Sequence, residues 1–151
     1  MSETNKRLAL RWLEAIWNGD LDAPAAAGVV EQLVHPDFHN HEAAADRPGG
    51  PEGFRDTARR LRRAFADLRI EPLDVIAEAD KVVIRARVNG RQVGAFAFAG
   101  VPVTGREFSV EHTHIVRILD GKVVEHWANR DDAGMLRQLG LLRVGGDANA
   151  A

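Results

Sequence analysis

Apolar residues recur at helical spacing from the start of the chain. Leu8, Trp12, Ala15 and Ile16 share one face, and Leu10, Leu13 and Trp17 widen it. Ser2 or Thr4 can cap this helix, and Asn18-Gly19 can end it. Asp22 followed by Pro24 starts a second, shorter helix to about Leu33. His35-Pro36-Asp37 is a break, and Phe38 to His41 reads as a short strand. After the loop Pro48-Gly49-Gly50-Pro51, a third helix runs from about Glu52 to Ala66. Its apolar side is Phe54, Ala58, Leu61, Phe65 and Leu68, and its other side is Arg55, Arg59, Arg62 and Arg63. That arginine stripe is what a solvated helix face looks like, with phosphate binding as the rival reading.

Beyond Asp67 the pattern becomes that of strands. Arg69 to Ala77 and Lys81 to Val88 are rich in β-branched residues, and Glu78-Ala79-Asp80 separates them. Gly90 and Gly94 punctuate, Val93 to Ala99 alternates in size, and Gly100 to Gly105 is a turn. Arg106 to Leu119 and Lys122 to Arg130 are two long strands. Asp131 or Asp132 then caps a last helix through Met135 to Leu139, stopped by Gly140. Helices followed by a long antiparallel meander predict an α+β fold, with three helices packed on one face of a curved sheet. The expected domain is residues 1–142, with a Gly/Ala/Asn-rich tail over 143–151.

Asp120-Gly121 between alternating apolar residues predicts a two-residue hairpin loop. Leu119 then pairs with Lys122, Ile118 with Val123, Val116 with Glu125, His114 with Trp127 and His112 with Asn129, all on one face. The other face receives Arg117/Val124, Ile115/His126, Thr113/Ala128 and the opposite-charge match Glu111/Arg130. In this register the first face grades from apolar to His112, His114, Trp127 and Asn129, with Asp131 following where strand becomes helix. An apolar wall with converging polar groups suits a small-molecule pocket, and these groups could perform acid/base chemistry or hold an oxyanion. Histidines on a half-buried sheet face also serve as structural groups, and Asp131 could simply cap the helix.

Composition narrows the chemistry. A chain of 151 residues with 45% hydrophobic content can bury a full core. Its formal net charge of −2 gives no global pull toward nucleic acid or an anionic membrane. With no cysteine there are no disulfides, thiolate nucleophiles or cysteine-held metals. No apolar run approaches the roughly 20 residues of a spanning helix and no signal peptide is apparent, so the cytoplasm is expected. His35, His39 and His41 are a dense group, yet no paired carboxylate motif accompanies them; no metal is expected, and His41 is placed at the pocket mouth. Neither glycine-rich nucleotide motif appears, nor a G-x-S-x-G elbow.

The string Glu111-His112-Thr113-His114-Ile115, then Arg117-Ile118-Leu119-Asp120-Gly121-Lys122-Val123-Val124-Glu125-His126-Trp127, then Asp131 and Gln138-Leu139-Gly140, resembles the SnoaL-like polyketide cyclases. Phe38-His39-Asn40-His41, the Gly-rich loop before the third helix, Ala64 to Leu68 and Pro102 to Arg106 match as well, so the resemblance covers about Lys6 to Gly140. It implies the cone-shaped α+β barrel of the nuclear-transport-factor-2-like, ketosteroid-isomerase-like superfamily. It also implies a cofactor-independent aldol ring closure with an aspartate as general acid/base, carried onto Asp131 by its spacing from Gln-Leu-Gly, with Asp132 as competitor. A homodimer or homotetramer is implied too. The absence of tyrosine excludes phenol-assisted stabilisation.

The expected enzyme is a cyclase or isomerase acting on a small hydrophobic or polyketide-like molecule. Asp131 moves the proton, and His112 and His114 hold the oxyanion or the base. Trp127, Asn129, His41, Phe65 and Trp17 line the pocket. The alternatives are a hydrolase of an epoxide or ester using Asn129, Arg130 and Asp131 to position water, and a non-catalytic ligand-binding module. Nucleic-acid binding through the third helix is disfavoured by the charge balance.

Overall fold

The computed structural model describes residues 2–95 and 102–142. The first apolar stripe folds as α1 (Ser2–Trp12), which widens into a π-helical turn over Leu13–Asn18. Asn18 clamps that end to the sheet: its amide nitrogen donates to the Ile70 carbonyl at 2.9 Å and its oxygen accepts the Ile70 N–H at 2.8 Å. The expected second helix is broken into a 3-10 turn (Pro24–Ala26) and α2 (Val29–Leu33), because Gly28 between them takes φ 76°. β1 (Val34–Asn40) begins earlier than expected and includes the His35-Pro36-Asp37 segment. Proline is tolerated there because β1 is an edge strand whose register slips between Val34 and His39.

α3 (Gly50–Ala64) leads directly into β2 (Phe65–Glu78). β3 (Lys81–Gln92), β4 (Glu107–Leu119), β5 (Lys122–Arg130) and α4 (Asp132–Gln138) follow. The strand order is β1-β5-β4-β3-β2, antiparallel throughout except that β1 runs parallel to β5. Gly90 does not end β3 as expected; it lies inside the strand, where a Cβ would sit 3.0 Å from the Phe108 ring. The expected alternation over 93–99 and the turn over 100–105 fall partly, and the 143–151 tail wholly, outside the described residues.

Alternation on β3 and β4 sends Val82, Ile84, Ala86, Val88, Phe108, Val110, Val116 and Ile118 to the helix-covered inner face, all buried. Ala9, Trp12, Leu13 and Ile16 of the first helix and Phe54 of α3 meet them. On the arginine side of α3, three of the four arginines are engaged. Arg55 pairs with Glu31, Arg59 with Asp22 at 3.0 Å, and Arg62 donates to the Ile16 and Trp17 carbonyls at 2.9 and 3.2 Å. These contacts fasten α3 to α2 and to the carbonyl end of the first helix, where a cation is favoured. Arg85 and Arg87 lie on the outer face with Glu111, and Arg91 pairs with Asp67. Among the described residues no helix is long and apolar enough to cross a membrane.

Candidate active site

The hairpin turns where expected, with Asp120 at φ 50° and Gly121 at φ 72°, the left-handed pair of a type I′ turn. Leu119 pairs with Lys122 and Ile118 with Val123. The ladder then shifts by one residue: Arg117 faces Glu125, Val116 faces His126, Ile115 faces Trp127, Thr113 faces Asn129 and His112 faces Arg130. Val124 is the extra residue of a β-bulge. Val123 and Val124 are both buried, at 0% and 4% exposure. Strict alternation would have turned Val124 outward and set the Glu125 carboxylate beside buried Val116, which costs several kcal/mol. The bulge instead puts Glu125 outside, paired with Arg117.

Every side chain of β5 beyond the bulge therefore points opposite to the expectation. Trp127 and Asn129 leave the face that holds His112 and His114, and His126 replaces them. The expected Glu111/Arg130 match also dissolves: Glu111 binds Arg85 and Arg87, while Arg130 lies 3.9 Å from Glu42. Consecutive valines at 123 and 124 were the signal for the bulge. Without it, sequence reasoning missed His126.

On the inner face, His114 Nδ1 lies 3.0 Å from His126 Nε2, and His126 Nδ1 lies 2.9 Å from Asn40 Oδ1. The His114 and His126 rings stack with centroids 5.3 Å apart, and Trp12 packs on His126 at 5.9 Å. His112 is the next residue on this face, its ring 5.6 Å from that of His114. Burial pushes His126 down to about 3, with smaller electrostatic contributions from Arg130 and His41. Burial likewise pushes His112 down to about 4, Arg130 adding to the shift and Asp131 opposing it. His114 is driven well below its ordinary value by burial, then by the neighbouring imidazoles and Arg130. All three are neutral at pH 7.

Asp131 follows the β5 residue that pairs with His112. It, and not Asp132, is the N-cap of α4, accepting the Gly134 N–H on Oδ1 at 2.8 Å. Oδ2 has no hydrogen bond among the described residues. The carboxylate occupies the space a side chain at 134 would need: a Cβ there would lie 2.0 Å from Oδ2 and 2.6 Å from Cγ. Capping and chemical availability are thus compatible in one side chain, since the cap uses only one oxygen.

Phe65 is buried against Phe108 at 5.1 Å, in contact with the inner-face strands. Trp17 is half-buried against the core, edge-on to Trp12 at 5.8 Å and to Phe54 at 5.2 Å. His41 is on the outer side, stacked on Trp127 at 4.5 Å and 3.3 Å from Glu125. With Glu42, Lys81, Thr113, Ile115 and Asn129, Trp127 lines an open outer depression of about 400 Å³. Trp127, Asn129 and His41 are thereby separated from His112 and His114 by the sheet.

The profile of the SnoaL-like polyketide cyclases matches residues 7–139 of this chain. The chain belongs to that family. The aklanonic acid methyl ester cyclase DnrD of Streptomyces peucetius is 33% identical over 136 residues, 88% of each chain. The nogalonic acid methyl ester cyclase of Streptomyces nogalater is 35% identical over 115 residues, covering 74% of this chain and 83% of its own. Among solved structures, TsrD from Streptomyces laurentii superposes with a TM-score of 0.76 at 34% identity, over 93% of this chain and 97% of the other. A SnoaL-like cyclase fold with the same TM-score, from Jannaschia sp. CCS1, is 24% identical and supports the fold alone. As a SnoaL-like cyclase, the protein is an enzyme of the lyase/isomerase type, and the curved α+β sheet is the family's architecture.

Proposed function

We propose that this SnoaL-like cyclase closes a ring of a hydrophobic polyketide methyl ester by intramolecular aldol chemistry, with Asp131 as general base and then general acid. Asp131 takes a proton from a carbon acid activated by neighbouring carbonyls. The enolate carbon attacks a second carbonyl of the same molecule, one carbon–carbon bond forms, and the carbonyl oxygen becomes an alkoxide. Asp131 returns the proton to that oxygen, so no atom is gained or lost. A neutral His112, with no hydrogen bond among the described residues, supplies an N–H toward the developing oxyanion. The observation that carries this reading is the half-engaged, exposed carboxylate: one oxygen fixed by the Gly134 N–H, the other unengaged among the described residues, one residue after the β5 partner of His112. This reading places the reaction in the cytoplasm, in a homodimer or homotetramer.

Asp131→Asn is the test, because the amide oxygen can still accept the Gly134 N–H. On the methyl esters of aklanonic and nogalonic acids, followed by chromatography of the cyclised product, kcat should fall by about a hundredfold or more, with an unchanged circular dichroism spectrum. Undiminished turnover removes Asp131 from the chemistry.

A further inference from the structure

Asn40, His126 and His114 take no part in the proton transfer above, yet they form a buried line from the β1 edge to the inner face. The polarity of that line is fixed at one end. Asn40 Oδ1 accepts the backbone N–H of Glu42 at 3.1 Å, and a backbone N–H can only donate. The amide oxygen is therefore the atom that faces His126 Nδ1, and Nδ1 carries the proton. A neutral imidazole has one N–H, so His126 Nε2 is a lone pair. It accepts from His114 Nδ1, which leaves His114 Nε2 bare. That nitrogen is buried and has no partner among the described residues. The opposite polarity sets a lone pair of His126 against the Asn40 oxygen, and turning the amide to relieve this sets its NH2 group against the Glu42 N–H.

A bare acceptor withdrawn from water costs free energy that only a donor recovers. We infer that Asn40 and His126 are positioning residues that hold His114 in its Nδ1–H tautomer, making Nε2 a subsite for a ligand hydroxyl, an enol or phenol O–H, and not for an oxyanion. The identity of the ligand group rests on the cyclase reading; the tautomer does not. The two inner imidazoles thereby divide the work, His112 being able to donate where His114 can only accept.

Long-range 1H–15N correlation spectra of uniformly 15N-labelled protein at pH 7 read the tautomers directly. Both His114 and His126 should carry the proton on Nδ1, and a proton on Nε2 of His114 overturns the inference. Asn40→Asp keeps an acceptor at that position and should preserve the pattern. Asn40→Leu should release it, giving His114 a mixed or Nε2–H signature with an otherwise intact amide spectrum; an unchanged pattern rejects Asn40 as the determinant. Should Asn40→Leu fail to fold, the wild-type and Asn40→Asp spectra still decide. For the ligand, 2-naphthol should bind about tenfold more tightly than 2-methoxynaphthalene, which matches it but lacks the donor. Equal affinities, or binding of neither, removes the hydroxyl subsite. Undiminished turnover in Asp131→Asn would remove the cyclase step while leaving the tautomer spectra untouched, so the two failures are separable.

Discussion

Replacing Gly134 with alanine places a methyl carbon 2.0 Å from Asp131 Oδ2 and 2.8 Å from Oδ1, far inside contact distance. The backbone at 134 is not in the left-handed region, so the clash and not the backbone decides the outcome. The carboxylate is the movable partner and must swing away. It then loses its bond to the Gly134 N–H, a cap worth about 1 kcal/mol. Alanine in place of glycine inside a helix returns about 1 kcal/mol. The two nearly cancel, so Gly134→Ala should unfold within about 1 kcal/mol of wild type, a shift of about 2–4 °C in Tm for a chain of this size. Activity has no such compensation: moving the reacting oxygen by about 1 Å can cost about a hundredfold in turnover. The assay pairs thermal melts with chromatography of the cyclised product. Full turnover in Gly134→Ala would refute the claim that Asp131 acts from its capped position.

Three further outcomes follow from the geometry. His112 and His126 lie at about 4 and 3 when folded, against 6.5 when unexposed to the fold, so the unfolded chain takes up protons first as pH falls. The stability from keeping them neutral is full above about pH 6.5 and drains below it, by up to about 1.4 kcal/mol per pH unit per histidine; urea midpoints flat between pH 6.5 and 4.5 would contradict this. Trp127→Ala removes the His41 stack on the outer face, so it should cost about 1 kcal/mol in urea unfolding and leave turnover within about threefold of wild type, whereas a hundredfold loss would place the indole in the site. Arg62→Ala takes a guanidinium from two helix-end carbonyls and should lower stability by about 1–3 kcal/mol in denaturant titrations, with no loss meaning that these carbonyls find other donors.

What the sequence made legible was whatever depends on local chemistry. Asp120-Gly121 located the β4–β5 turn because only such a pair takes two left-handed residues cheaply. The apolar period of α1 survives, and that of α3 as far as Leu61, because a stripe of that width has to be buried somewhere; Phe65 and Leu68, expected on the same helix face, lie on β2. Asp131 was placed correctly at the strand-to-helix junction, and the Gly134 N–H shows that it, rather than Asp132, caps α4. What failed was parity. Counting from a turn assumes one residue per rung, and Val124 breaks the count. The cost of burying Glu125 sets that break, and it becomes visible only when both strands are laid side by side. β1 was cut short for a related reason: Pro36 forbids a central strand but not an edge strand paired in parallel. Gly90 was read as punctuation because its neighbour Phe108 is distant in sequence.

The lining of the site thus answers to a charge that never touches it. The straight pairing of β4 and β5 differs from the native one by a single step, and that step would exchange an imidazole for an indole indoors and strip Asn40 of its hydrogen-bonding companion. What tips the choice is the preference of one glutamate for water and a guanidinium over a bed of valines. Variation at the solvent side of this hairpin can therefore rewrite the interior without altering any residue found there.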